Sequence, residues 1–235
     1  SDRSAPLLRG CAIGTASRIL LPIMSTFLRH YLLAVQFFTR IPVTGAVAHW
    51  VGYSPAMLRA SAGHFPGVGV LVGAVVALTT LGLLQLLPPS PLAPLVAAAL
   101  GTVLSVLLTG GFHEDGLADV ADGLGGSSER ERALLIMKDS RVGAFGAMAL
   151  VLALLTKVAL LALLGSVDVD LMAVALFAAH VCSRTWPLLL IRLLPHVGDA
   201  AGSKSKPLAD QITGASLVVA GCWFTAASLL VVWLT

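Results

Sequence analysis

Residues 110–123 read Gly-Gly-Phe-His-Glu-Asp-Gly-Leu-Ala-Asp-Val-Ala-Asp-Gly. Glu114, Asp115, Asp119 and Asp122 place four of the chain's 12 acidic residues in this one stretch. If residues 112–123 are helical, a turn of about 100° per residue brings Asp115, Asp119 and Asp122 within roughly 60° of one another. Glu114 then projects about 100° away from Asp115. Like charges on one helix face repel. A divalent cation relieves that repulsion, and carboxylate oxygens suit Mg²⁺, Mn²⁺ or Ca²⁺ rather than zinc or copper. The alternate-residue ligand spacing of a calcium EF-loop is absent. A solvated acidic face is the bland alternative. The scarcity of charge elsewhere and the apolar stretch just upstream favour metal or phosphate chemistry.

Further along, Lys138 and Arg141 are i, i+3 neighbours in Met137-Lys138-Asp139-Ser140-Arg141-Val142-Gly143, which runs on to Gly146. A carboxylate–metal site flanked by cations suits a diphosphate, because Lys and Arg neutralise charge that develops on phosphate oxygens. Membrane-anchoring charges are the alternative for this pair. Glu129, Arg130, Glu131 and Arg132 read as a solvated helix start. His113, beside Glu114, is a candidate base or ligand, or a capping residue. Lys157, His180 and Arg184 fall inside apolar blocks, where a charge must face an interior or a cavity. Arg184 either reaches the phosphate site or pairs internally, and His180 reads as a packed interior histidine.

The elements that must position these residues are membrane helices. The chain is 57% hydrophobic and 11% charged, with mean hydropathy +0.92. Its fold class is all-α: a polytopic helical membrane protein with about five to six transmembrane or re-entrant helices. Residues 69–87 and 92–109 are uncharged and flank Pro88, Pro89 and Pro91, predicting a tight hairpin. Residues 110–144 form a polar insert carrying the acidic segment. Residues 145–164, 171–193 and 212–234 are three more spans. The stretch 25–41, with Arg29, His30, Gln36 and Arg40, is expected to be interfacial or re-entrant.

The loops 88–91 and 165–170 hold no Lys or Arg. Arg40, Arg59, Arg130, Arg132, Lys138, Arg141, Arg192, Lys204 and Lys206 gather on the opposite side, which the positive-inside rule makes cytoplasmic. The acidic segment is therefore expected to face the cytoplasm from the cytoplasmic membrane. A net charge of +3 carries no nucleic-acid signal. Cys11, Cys182 and Cys222 show no disulfide or zinc spacing. Ser1–Ile23 reads as a leader or extension, and residues 24–235 as a single transmembrane catalytic domain. Nothing in the pattern sets the oligomeric state, which leaves room for a homo-oligomer.

The segment GGFHEDGLADVADG resembles the signature of the adenosylcobinamide-GDP ribazoletransferase (cobalamin synthase) family. Gln36-Phe37-Phe38-Thr39-Arg40-Ile41-Pro42-Val43 resembles that family's F-x-T-R-x-P element. Phe65-Pro66-Gly67-Val68-Gly69, leading to Gly73, resembles its P-x-x-G-x-x-x-G element. Met137–Gly146 resembles its M-[KR]-D-S-x-x-G-x-x-G element. The match runs in order from about Met24 to at least Arg184. It implies a Mg²⁺-dependent enzyme of the bacterial or archaeal cytoplasmic membrane that joins adenosylcobinamide-GDP to α-ribazole or its 5′-phosphate. A ribose hydroxyl would attack the cobinamide-proximal phosphorus, releasing GMP. The resemblance implies Asp115, Asp119 and Asp122 as metal ligands, with Glu114 as a fourth ligand or base. Lys138, Arg141, Arg184 and His113 are the expected substrate-binding residues. The family pattern continues into a G-x-T-G-D-x-x-G element, and the domain is expected to lack this C-terminal piece.

Two other readings compete. A CDP-alcohol phosphatidyltransferase carries Arg after the D-G-x-x-A, whereas Asp119 follows Ala118 here. A divalent-ion transporter requires carboxylates or Met at mid-membrane, whereas here the acids fall at helix ends and the buried charges are basic.

Overall fold

The computed structural model describes residues 7–195 and 212–235, with side chains from residue 22 onward. The loop carrying Lys204 and Lys206, and the side chain of Cys11, lie outside the described residues. Every regular element described is helical. They are α1 (Leu7–Phe38), α2 (Gly45–Val51), α3 (Pro55–Ser61), α4 (Phe65–Leu86), α5 (Ala93–Thr109), α6 (Phe112–Gly126), α7 (Arg130–Ile136), α8 (Ala144–Val167), α9 (Val169–Leu193) and α10 (Gly214–Leu234). A 3₁₀ turn, Ala62–His64, joins α3 to α4. Pro55–Leu86, α8, α9 and α10 are each long and apolar enough to cross a membrane. α5 and α6 make a fifth candidate only if the bent pair is counted together. The expected blocks 69–87, 92–109, 145–164, 171–193 and 212–234 fall on α4, α5, α8, α9 and α10. Residues 25–38 form the last part of α1.

Helices dominate because hydrocarbon offers no partner for a free N–H or C=O, so each segment must satisfy its own backbone. The outer surface fits that solvent. Leu152, Leu155 and Leu163 of α8 are all more than 60% exposed. Such a surface is stable against lipid and unstable against water.

α4 is the centre of the bundle and packs most extensively on α9. Its buried stripe is Gly69, Val72, Gly73, Val76, Ala77 and Thr80. A Cβ at Gly73 would lie 3.0 Å from the Phe177 carbonyl oxygen and 3.1 Å from its Cα. Gly69 meets the backbone of His180 and Val181 in the same way. This small-xxx-small spacing lets two helix backbones approach closely, which is how membrane helices gain dispersion contact without a hydrophobic drive. Gly73→Leu should therefore destabilise the bundle by about 1–3 kcal/mol. Thermal unfolding in detergent would reveal this as a lower midpoint; an unchanged midpoint would mean that α4 and α9 are not held backbone to backbone.

Two further joints set the site. After α4, residues 87–92 turn the chain and α5 returns along it. α5 then ends in two consecutive left-handed glycines, Gly110 (φ 70°) and Gly111 (φ 71°). Only glycine adopts this conformation twice in succession without strain. The axis turns by 89°, and α6 leaves the direction of α5. The abrupt turn lays the acid-bearing helix across α8, against which it packs.

Candidate active site

α6 begins just past the glycine pair, and its acids meet different surroundings along the helix. Asp115 is exposed, Asp119 half-buried and Asp122 buried. Burial raises the Asp119 carboxyl above the usual carboxylate range, and the charges of Asp115 and Asp122 push it further. The i, i+4, i+7 spacing puts these three acids on successive turns of α6. Glu114 points elsewhere, into the helix bundle.

Asp122 does something the spacing could not show. Its two oxygens accept hydrogen bonds from the backbone N–H groups of Gly143 (2.7 Å) and Gly146 (2.8 Å). These are orphan donors at the start of α8, so Asp122 caps a helix other than its own. A Cβ at Gly143 or Gly146 would collide with the Asp122 carboxylate. The two glycines of the Met137–Gly146 stretch are explained by this close approach. Among the described residues, no group of three or more His, Cys, Asp or Glu is gathered closely enough to hold a metal ion. The expected triad of Asp115, Asp119 and Asp122 is therefore not assembled as a three-ligand cage. Asp115 and Asp119 remain the accessible pair.

Lys138 and Arg141 follow α7 on exposed backbone. Arg141 is ion-paired with Asp139, donating through Nε and Nη2, and its backbone N–H bonds the same carboxylate. These hydrogen bonds hold the Asp139 carboxyl down at about 2.

A cavity of about 620 Å³ lies beside α6 and is lined by Arg40, Thr109, Phe112, Glu114 and Asp115 among others. Arg40 follows the end of α1, its backbone N–H bonded to the Leu108 carbonyl (2.8 Å). Its guanidinium occupies the space that a side chain at Gly110 would need. The sequence marked Arg40 as a charge of the 25–41 stretch, as one of the basic residues that set orientation and as part of the Gln36–Val43 element; that it shares a cavity with Asp115 emerges only from the fold.

Arg184 and His113 do not line that cavity. They sit on a second one, of about 570 Å³, between α5, α6, α8 and α9, together with Lys157 and His180. Arg184 is 3% exposed. Its Nη1 donates to the His180 carbonyl (3.1 Å) and to Ser183 Oγ (3.3 Å), and lies 3.2 Å from His180 Nδ1. Glu114 lines both cavities. Lys157 has one sequence signal, as the lone charge of its apolar block.

Comparison with known proteins identifies the family. A sequence model described as cobalamin-5-phosphate synthase matches residues 30–235. A relative in Albidiferax ferrireducens is 75% identical over 209 residues, covering 89% of this chain and 75% of the relative. One in Polaromonas naphthalenivorans is 65% identical over 212 residues, covering 85% and 76%. One in Vibrio cholerae is 41% identical over 214 residues, covering 89% and 78%. All three are named adenosylcobinamide-GDP ribazoletransferase. No solved structure matches the chain. The match over nearly all of its length shows that the chain belongs to the cobalamin-5-phosphate synthase family and is an enzyme of the transferase class.

Proposed function

We propose that the protein joins adenosylcobinamide-GDP to α-ribazole, or to its 5′-phosphate, with release of GMP, using Mg²⁺ held by Asp115 and Asp119. The observation that carries this reading is the cavity lined by both Asp115 and Arg40, with Asp119 one helical turn along α6. The donor set fits the ion. Mg²⁺ keeps several waters and is commonly held by one or two carboxylates plus substrate phosphate oxygens rather than by an all-protein cage. When bound, it would neutralise charge on the diphosphate oxygens and polarise the phosphorus under attack.

The chain's own residues supply the rest. Arg40 donates to a diphosphate oxygen from the cavity it lines with Asp115. Lys138 and Arg141 extend the positive surface. Arg141 must exchange Asp139 for phosphate, which an exposed and solvent-screened pair allows. Asp122 stays outside the ligand pair, because its carboxylate holds the start of α8. Basic loops on the acid-bearing side support a cytoplasmic orientation in the cytoplasmic membrane.

The test is reconstitution in nanodiscs with adenosylcobinamide-GDP, α-ribazole 5′-phosphate and Mg²⁺. One GMP should appear per joined corrinoid, and EDTA should stop both. GMP without a joined product would replace this reading with a hydrolase. Arg40→Gln should raise the KM for adenosylcobinamide-GDP roughly 10- to 100-fold, the loss expected for one charge-assisted hydrogen bond. An unchanged KM would remove Arg40 from the diphosphate site.

A further inference from the structure

The inner cavity between α5, α6, α8 and α9 has no place in the chemistry described so far. Three polar atoms of its lining residues are buried without hydrogen-bond partners: Arg184 Nε, Glu114 Oε2 and His113 Nδ1. Buried polar groups are almost always partnered, so three such atoms on residues that line one cavity mark a region whose polar groups the fold itself leaves unsatisfied. Lys157 and Arg184 bring two positive charges and Glu114 one negative, leaving one net positive charge among apolar helices. Glu114 interacts electrostatically with both cations. A buried excess cation is costly in this setting, and a phosphoryl group relieves it. The apolar part of the wall, with Leu160, Leu161 and Leu176, suits a flat heteroaromatic base, and hydroxyls of Ser105, Thr109, Thr156 and Ser183 line the rest. At about 570 Å³, the cavity is in the range of small-molecule sites, roughly 300–1,000 Å³.

Glu114 and Thr109 line this cavity and also the outer one that contains Arg40 and Asp115. Glu114 therefore stands on the boundary between a phosphate-sized positive site and the proposed diphosphate site. We propose that the inner cavity holds the nucleophilic substrate, a ribosyl-base 5′-phosphate, with Lys157 and Arg184 on its phosphomonoester and Glu114 beside its attacking ribose hydroxyl. The inference rests on the synthase reading above. In the step it describes, the hydroxyl oxygen bonds to the cobinamide-proximal phosphorus and its proton passes to Glu114. The bond from that phosphorus to the bridging oxygen breaks, and the electron pair leaves with GMP.

Lys157→Met tests the assignment, because it places an apolar side chain of similar length in an apolar helix. Binding of α-ribazole 5′-phosphate and of unphosphorylated α-ribazole is measured by calorimetry in phosphatidylcholine nanodiscs with EDTA present. The variant should weaken binding of the phosphate ester at least tenfold and leave α-ribazole within twofold. Lys157→Arg should keep the phosphate ester within about threefold. The KM for adenosylcobinamide-GDP should not move in either variant. Equal losses for both nucleophiles, or a loss confined to adenosylcobinamide-GDP, would overturn the proposal. A second arm uses phosphatidylglycerol nanodiscs. If anionic lipid competes with the ester in the wild type and Lys157→Met abolishes that competition without a tenfold loss in phosphatidylcholine, the cavity is a lipid headgroup site and the substrate assignment falls. Wild-type turnover separates the two layers. Failure to form any joined corrinoid sinks the synthase reading, whereas metal-free binding of the ester reports on the cavity alone.

Discussion

Asp115→Asn lowers turnover by about 10³-fold while leaving the unfolding midpoint unchanged or slightly raised. The size follows from losing a preorganised charged group at the reacting phosphate, typically a factor of about 10²–10³. The substitution is nearly isosteric at an exposed position, so packing is untouched. The direction of the stability effect comes from Asp119. Its carboxyl is raised by burial and then by its neighbours Asp115 and Asp122. A carboxyl whose folded pKa exceeds its unfolded value makes the fold less stable as pH rises through the carboxylate range. Removing the Asp115 charge eases that penalty. Activity lost without stability lost is the mark of a residue placed for function rather than for folding. Turnover assayed across a Mg²⁺ titration, beside a thermal melt in the same detergent, checks both halves. Near-normal turnover at low Mg²⁺ would remove Asp115 from the proposed ligand pair.

Asp122→Ala gives the opposite pattern, with stability lost first. Its carboxylate satisfies two backbone donors at the start of α8. Charge-assisted hydrogen bonds of this kind contribute about 1.5–3 kcal/mol each, not fully additively, and the anion also sits at a helix N-terminus. A loss of about 3 kcal/mol is expected on this basis. Asp122→Asn should fall between, since an amide oxygen can accept one bond while its NH₂ faces the second donor. Thermal unfolding distinguishes the roles: if Asp122→Ala melts like the wild type yet is inactive, Asp122 is a ligand and not a cap. The contrast with Asp115 matters because the two residues share one helix face and the same side-chain type.

The bilayer made much of the fold legible. Spans of 18 or more apolar residues have little choice but helix, because hydrocarbon leaves the backbone no other partner. The expected blocks accordingly fall on α4, α5, α8, α9 and α10. The position of the acidic helix was also readable, because Gly110-Gly111 interrupts an apolar run and charge follows at once. Even the split between Glu114 and Asp115 was local, since adjacent residues on a helix diverge by about 100°. The pairing of Arg141 with Asp139 is equally local, between residues two positions apart.

The rest depends on contacts between distant segments. Asp122 and Gly143 are separated by 21 positions, and nothing in a DxxxDxxD spacing distinguishes a residue that caps another helix from one that faces solvent. Arg40 shares a cavity with Asp115 because its backbone is tied to Leu108 near the end of α5, where Gly110 leaves room for its guanidinium. Lys157 is the sharpest case. α8 is apolar all round, so its sequence carries no period that tells which way it is rotated. The sequence by itself determined that the chain is a bundle of membrane helices with an acidic helix at a glycine hinge. Only the tertiary structure decided which acid caps α8, which remain accessible, and that Lys157 and Arg184 meet Glu114 across one cavity. The physical reason is that hydrophobicity specifies burial in lipid without specifying rotation, and rotation determines which charges meet.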